Sequence, residues 1–402
     1  MAVDVKDGGT PSGGGARWWY DPKVRAIIFQ VTFVVALVVF IAFIVNNTVV
    51  NLEKRDIRAG FGFLSEPAGF EIPITGLVDY SVDKGSTHGA VFLIGLQNTF
   101  LISAMGIVLA TILGFILGVL RLSNNWIVTR LVGSYIEIVR NIPLPLQFIF
   151  WQTAVFIIFL PKVRDPISIF DTIYIHNRGF TGPKPIGEAN LDFVFYAIVV
   201  AIGVVMWLRK WARRRQDETG EQFPVLWTSL GILIGLPLLV AAILGFPLSW
   251  EYAELGRFRF TGGMGIPIEL FSALTALTIY TSAFIAEIVR AGILSVSRGQ
   301  TDASHALGIR HGPTLRLVII PQALRVIIPP LISQYLNLTK NSSLGILIGY
   351  SDLFNVFGGI SLNQTGQAIE IIFMSMSVYL CFSLLISLYM NWYNRRIALT
   401  EH

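Results

Sequence analysis

The residues best equipped for chemistry lie where charge is expensive. Glu287 stands in the run SAFIAEIVRAGIL with Arg290 three residues on, and Lys340 stands in LNLTKNSSLGILIG beside Asn341, Ser342 and Ser343. A charged side chain at the centre of a bilayer costs roughly 2.5–3.5 kcal/mol on insertion scales, so such a group faces a partner, a cavity or water. The i,i+3 spacing lets Glu287 and Arg290 neutralise each other on one helix face; the other reading makes Glu287 part of a pathway wall or gate. Lys340 is too deep to snorkel easily and reads either as the wall of a water-filled path or as a polar tie between helices. Thr281, Ser282, Glu287, Lys340, Asn341 and Ser342 together could form an amphipathic lining. A lining of that kind suits a zwitterion, whose ammonium and carboxylate need opposite partners. Glu137 and Arg140 repeat the E-x-x-R spacing ahead of NIPLPLQ and read as a helix entry, with Pro143 and Pro145 bending the chain.

Other chemistries find no residues. The sequence holds no G-x-x-x-x-G-K-[ST] to cradle nucleotide phosphates and no H-E-x-x-H. Its single cysteine, Cys381, lies in an apolar run, and His88, His176, His305, His311 and His402 show no metal-ligand spacing. No nucleophile–base pair stands out. The chain therefore reads as no enzyme by itself and as binding no cofactor.

The elements that must carry these residues are membrane helices. Of 402 residues 53% are hydrophobic and 14% charged, whereas soluble chains carry about 25% charge. Eight segments reach the roughly 20 apolar residues that a span requires: 25–45, 91–120, 134–160, 192–208, 224–248, 268–290, 326–349 and 367–390. The first follows a polar leader and lacks a small-residue cleavage site, so it reads as a span and not as a signal peptide. Trp18, Trp19 and Tyr20 read as interfacial anchors. With both termini inside, nineteen Lys and Arg fall in inner segments and ten in outer ones, the bias expected of a cytoplasmic side. The outer loops are rich in Gly, Pro and aromatic residues and read as small irregular structure on the membrane face. Gly114 and Gly118 form a G-x-x-x-G on the second span, a packing feature.

The inner loop DASHALGIRHGPTLRLVIIPQALRVIIPP, starting at Asp302, is half polar and half apolar. Asp302 suits a helix N-cap or first turn. Gly308 can end that helix in the left-handed C′ position, and Pro313 can start a second one, carrying Leu315, Val318 and Ile319 on one face until Pro321 interrupts it. The result would be two short helices at an angle, joined by a Gly hinge, fit to dock in a partner's groove.

This loop resembles the cytoplasmic signature of the permeases of ATP-binding-cassette (ABC) importers, written E-A-A, three residues, G, nine residues, I-x-L-P. Asp302, Ala303 and Ser304 stand at the first three positions, Gly308 at the glycine, and Val318, Ile320 and Pro321 at the end. Every spacing matches and each mismatch is mild. GLQNTFLISAMGIVLATILGFILGVLRLS, YIEIVRNIPLPLQFIF, YTSAFIAEIVRAGILSVSRGQTDASHALG and LNLTKNSSLGILIG look like core segments of the polar amino-acid uptake subfamily. The extra spans look like those of the larger Q-type permeases of bacterial general L-amino acid importers. The resemblance implies an all-α integral membrane protein with about eight transmembrane helices, five of them a type I ABC importer permease core. It implies divisions at 1–24 (leader), 25–45 (extra span), 46–90 (outer loop), 91–160 (first core part), 161–264 (insertion with two extra spans), 265–395 (second core part with the coupling loop 298–325) and 396–402 (tail). It further implies a bacterial inner membrane location, uptake of polar L-amino acids such as glutamate, glutamine, aspartate or asparagine, and alternating access. ATP and magnesium would sit on a separate ATPase dimer. The other partners would be a second permease half, identical or related, with a related one favoured, and a periplasmic binding protein, with no nucleic acid. An ion-coupled secondary transporter is the alternative; it would call for inverted repeats, and no second copy of the core is visible. A scaffold without transport would have little use for Lys340.

Overall fold

The computed structural model describes residues 22–54, 60–256 and 260–397; Trp18, Trp19 and Tyr20 lie outside them. Helix α1 (Pro22–Lys54) is apolar on all sides, and none of its apolar stretch is buried within the chain. Helix α2 (His88–Leu120) follows an outer loop. Next come α3 (Trp126–Asn141) and α4 (Leu144–Ile149), the latter widening into a π-helical segment over Phe150–Ile157. Four short strands, β1 (Ile167–Ile169), β2 (Ile173–His176), β3 (Gly179–Gly182) and β4 (Lys184–Gly187), lead to the hairpin of α5 (Leu191–Thr219) and α6 (Val225–Ile243). Strands β5 (Leu248–Glu251), β6 (Glu254–Leu255), β7 (Phe260–Thr261) and β8 (Met264–Pro267) return the chain to α7 (Ile268–Leu294). Then follow α8 (Arg298–Ala306), α9 (His311–Thr314), a π segment over Leu315–Ile319, and α10 (Ile320–Asn341), which tightens to 3-10 geometry over Ser342–Ile348. A second π segment (Phe354–Ser361), α11 (Leu362–Thr365) and α12 (Ala368–Ile397) complete the fold.

Among the described residues seven helices are long and apolar enough to cross a membrane, against the eight expected. The difference is the expected span 134–160. Pro143 cannot continue a helix, so α3 stops at Asn141 and α4 restarts at Leu144. Gln147 bridges the break: its Nε2 donates to the carbonyls of Val139 and Ile142 at 3.0 and 3.1 Å. Two half-length helices thus occupy the place of one.

The core is built on α2 and α7, which run side by side in the same direction. Gly106, Ala110, Gly114 and Gly118 recur every four residues along α2 and are all buried. A Cβ on Gly114 would lie 2.6 Å from the Cβ of Ile285, and one on Gly118 would lie 2.8 Å from the Cβ of Val289. The small stripe is what lets the two backbones approach. Helix α10 packs antiparallel against α7, with Ile327 filling the space beside Gly292. Helices α5 and α6 pack mainly on each other through Ala197, Ala201, Val205, Leu208 and Ala212.

The outer segments 167–187 and 248–267 correct the expectation of irregular structure, whereas the described part of the first outer loop, before α2, keeps it apart from one 3-10 turn over Gly62–Ser65. Strands β1-β2-β3-β8 form an antiparallel sheet, and β4 pairs with β5 and β6 with β7. Strand β8 runs directly into α7, so the sheet is mounted on a core helix. About 40 Å away, at 1.5 Å per residue along α7, the other end of the molecule carries α8.

Candidate functional site

The loop after α7 is a short exposed helix held by a built stop. The N-cap of α8 is Ser297, whose Oγ accepts from the Gly299 amide at 3.3 Å. Asp302 therefore sits in the body of the helix and not at its cap, as its type suggested. At the other end the amide of Gly308 donates to the His305 carbonyl (2.9 Å) and that of Ile309 to the Ser304 carbonyl (3.0 Å). This pair of bonds is a Schellman stop, and Gly308 takes the left-handed φ of 72° that it requires. Asp302, Ala303, His305 and Ala306 are exposed, and Leu307 is 79% exposed. Ser304 turns inward and is buried, and Gln300 holds Gln322 at 3.3 Å. The second short helix is not separate. From His311 the chain runs without interruption into the span, because the π segment over Leu315–Ile319 absorbs Pro321 near the first turn of α10. Val318 and Pro321 are half-buried there and Ile320 is exposed.

Glu287 is held by cations. Arg290 donates to its Oε1 from Nη2 at 2.9 Å and from Nε at 3.2 Å, as the i,i+3 spacing suggested. A second guanidinium, Arg121 at the end of α2, binds its Oε2 and lies 3.9 Å from Glu137 of α3. Arg140 covers the face of Phe284 at 5.0 Å. The cluster ties α2, α3 and α7 together at the end that bears α8.

The remaining polar candidates divide. Thr281 and Ser282 are buried where α7 meets its neighbours; Ser282 Oγ donates to the Ile279 carbonyl at 2.8 Å. They do not join Lys340. Lys340 is exposed and opens on a cavity of about 260 Å³ between α10, the second π segment and α12, with Ser343, Phe354, Ser375 and Tyr379 in its walls. Ser375 Oγ is buried there without a hydrogen-bond partner among the described residues. Asn341 is half-buried, and Ser342 is fully buried on the inner side of the same turn.

Behind this cavity lies a knot that the sequence reading did not single out. Asp352 is fully buried. Its Oδ1 accepts from the Asn355 amide at 2.9 Å, and its Oδ2 accepts from the Tyr379 hydroxyl at 3.1 Å. That hydroxyl also reaches Thr99 and Ser342. Tyr350 donates to the Asn98 carbonyl at 3.0 Å, and Asn98 donates to the carbonyls of Ser351 (2.8 Å) and Ile74 (3.0 Å). Thr99 accepts from the Leu353 amide at 3.0 Å. With no cation in the knot, burial pushes the Asp352 carboxyl up to about 7. Tyr379 thus belongs to both places: its ring faces the Lys340 cavity and its hydroxyl is fixed by Asp352. Only the polar run SSLGILIGYSDLFN hinted at the knot, since its partners lie some 250 residues away.

Residues 220–399 match the family described as binding-protein-dependent transport system inner membrane component. Over 382 residues the chain is 47% identical to the general L-amino acid transport system permease protein AapQ of Rhizobium johnstonii, covering 95% of this chain and 94% of the other. It is 50% identical over 388 residues to the putative amino-acid ABC transporter permease protein YhdX of Escherichia coli, covering 96% and 98%. It is 42% identical over 413 residues to the glutamate/glutamine/aspartate/asparagine transport system permease protein BztB of Rhodobacter capsulatus, covering 95% and 96%.

Proposed function

The chain belongs to the inner-membrane permeases of binding-protein-dependent ABC importers, and from that premise we propose that it carries polar L-amino acids inward by alternating access, driven through α8 by a separate ATPase. The observation that carries the coupling half of this reading is the exposed helix Arg298–Ala306, stopped at Gly308 and seated on the core by Ser304 and Gln322. It is too small to span a bilayer and is shaped to fill a groove. ATP and magnesium bind on the ATPase dimer, and this chain supplies the path. A periplasmic binding protein delivers the cargo, and a second permease half, related to this one, closes the pathway. Both termini and α8 then face the cytoplasm and the β-sheet faces the periplasm, in keeping with the Lys and Arg bias.

The Lys340 cavity supplies the substrate contact. Lys340 receives a carboxylate, and the hydroxyls of Ser343, Ser375 and Tyr379 take the remaining polar groups. Charge-assisted hydrogen bonds of this kind are about twice as strong as neutral ones. The test is uptake by the chain reconstituted with its ATPase and binding protein, against a panel of labelled amino acids. We expect uptake of glutamate, glutamine, aspartate or asparagine that needs ATP hydrolysis and survives ionophores. Uptake driven by an ion gradient without nucleotide would contradict the reading.

A further inference from the structure

The two outer insertions meet around one cavity. It measures about 660 Å³ and lies between the loop Pro73–Tyr80, strand β8 and the outer ends of α2 and α7; ligand cavities run to roughly 300–1,000 Å³. Its loop wall is fixed in advance. The Leu77 amide donates to Gln97 Oε1 at 3.1 Å, Asn98 holds the Ile74 carbonyl at 3.0 Å, and the Tyr80 hydroxyl donates to the Phe70 carbonyl at 2.5 Å. Gly76 takes a left-handed φ of 60°, which strains any side chain there, and its Cα faces the Gln97 amide group. The walls hold opposite charges, Asp79 from the loop and Lys184 from β4, while Met264, Leu101 and Leu270 supply apolar surface.

Neither charge is committed inside the fold. Among the described residues Asp79 pairs only with Lys84, at 3.0 Å, where both side chains are mostly exposed, an arrangement worth about 0–1 kcal/mol. Lys184 has no ion-pair partner among the described residues. Glu251 stands opposite it in the β4–β5 register, yet the Glu251 carboxylate lies beside Gly262. Asn98 joins this cavity to the Asp352–Tyr379 knot and so to the cavity of Lys340.

We propose that this cavity is an outer subsite for a free zwitterionic amino acid, Lys184 taking its carboxylate and Asp79 its ammonium, through which cargo passes before it reaches Lys340. The proposal rests on the transport reading above, and it gives the two insertions a task. Its test uses the full complex in proteoliposomes, with Met264→Cys as reporter in a Cys381→Ser background and Leu77→Cys as a second reporter. The rate of modification by an external, membrane-impermeant methanethiosulfonate is measured with and without L-glutamine. A ligand at twice its Kd occupies enough sites to slow the rate about threefold; we expect at least that slowing, none with L-glutamine methyl ester, and none in Lys184→Gln. Equal rates with and without glutamine at both reporters, in a complex whose ATP-driven glutamine uptake is intact, would overturn the subsite. Protection without uptake of any amino acid would uphold the subsite and refute the transport reading instead.

Discussion

At the scale of single residues, Asp352 and Lys340 make opposite demands. Asp352 is buried without a countercharge, so its protonated form is favoured in the folded state, and its carboxyl titrates near 7 and not near 3.8. A group whose folded-state pKa is raised stabilises the fold most when protonated, and this contribution fades as pH rises through the folded value. We therefore predict that the thermal stability of the wild-type chain relative to Asp352→Asn falls as pH rises from about 4 to about 7 and levels off above it, read by thermal-shift scans of the detergent-solubilised protein. A flat difference across that range would show that Asp352 does not titrate there. Lys340 is exposed to its cavity, and the proposed function gives it the cargo carboxylate. Lys340→Gln is expected to lower uptake of acidic and amide amino acids by about tenfold or more, the loss of a charge-assisted contact worth roughly 1.5–3 kcal/mol, while the fold stays intact by the same scan. Both residues show where sequence reasoning stops. Lys340 was legible because a cation in an apolar run is conspicuous. Asp352 lies in a turn of ordinary polarity, and only the fold brings Tyr379 and Thr99 to it. Glu287 was half legible: Arg290 is three residues away, whereas Arg121 is 166 residues away.

Among the elements, α2 and α7 set the geometry on which both cavities depend. The backbones touch through Gly114 and Gly118, so Gly114→Leu must push against Ile285. Overpacking of this kind costs about 1–3 kcal/mol, and we expect a lower midpoint of unfolding with Gly114→Leu than with the same change at Gly203, where a Cβ meets open space. Equal midpoints would mean that the close approach contributes nothing. Long helices were readable as apolar windows. The break in the third span was foreshadowed by Pro143 and Pro145, but the proline at 321 misled: near the start of a helix it costs little, and the π segment before it carries the chain through. The outer sheet was not readable. Its strands are three or four residues long, β1 is exposed at all three positions, and β3 pairs with β8 across 81 residues of intervening chain that include two helices. No alternation of apolar and polar residues can show in so short a strand.

For the whole molecule, the fold separates three sites along the helix axes. One end carries the sheet and the cavity of Asp79 and Lys184, the middle carries Lys340 and its knot, and the other end carries the Arg121–Glu287–Arg290 cluster and α8. Under the proposed function, work applied at α8 would reach the path through these helices, whose shared core is closely packed. In that reading the transmission turns on Gly308, the stop of α8. At its φ of 72° a β-branched residue is strained by roughly 1–2 kcal/mol, whereas asparagine adopts such angles readily. The most direct measurement is thus the amount of amino acid imported per ATP hydrolysed by the reconstituted complex carrying Gly308→Val or Gly308→Asn. The account predicts that valine uncouples the two by about tenfold or more while the complex still assembles and hydrolyses ATP, and that asparagine leaves the ratio near that of the wild type. An unchanged ratio with valine in an assembled complex would contradict it.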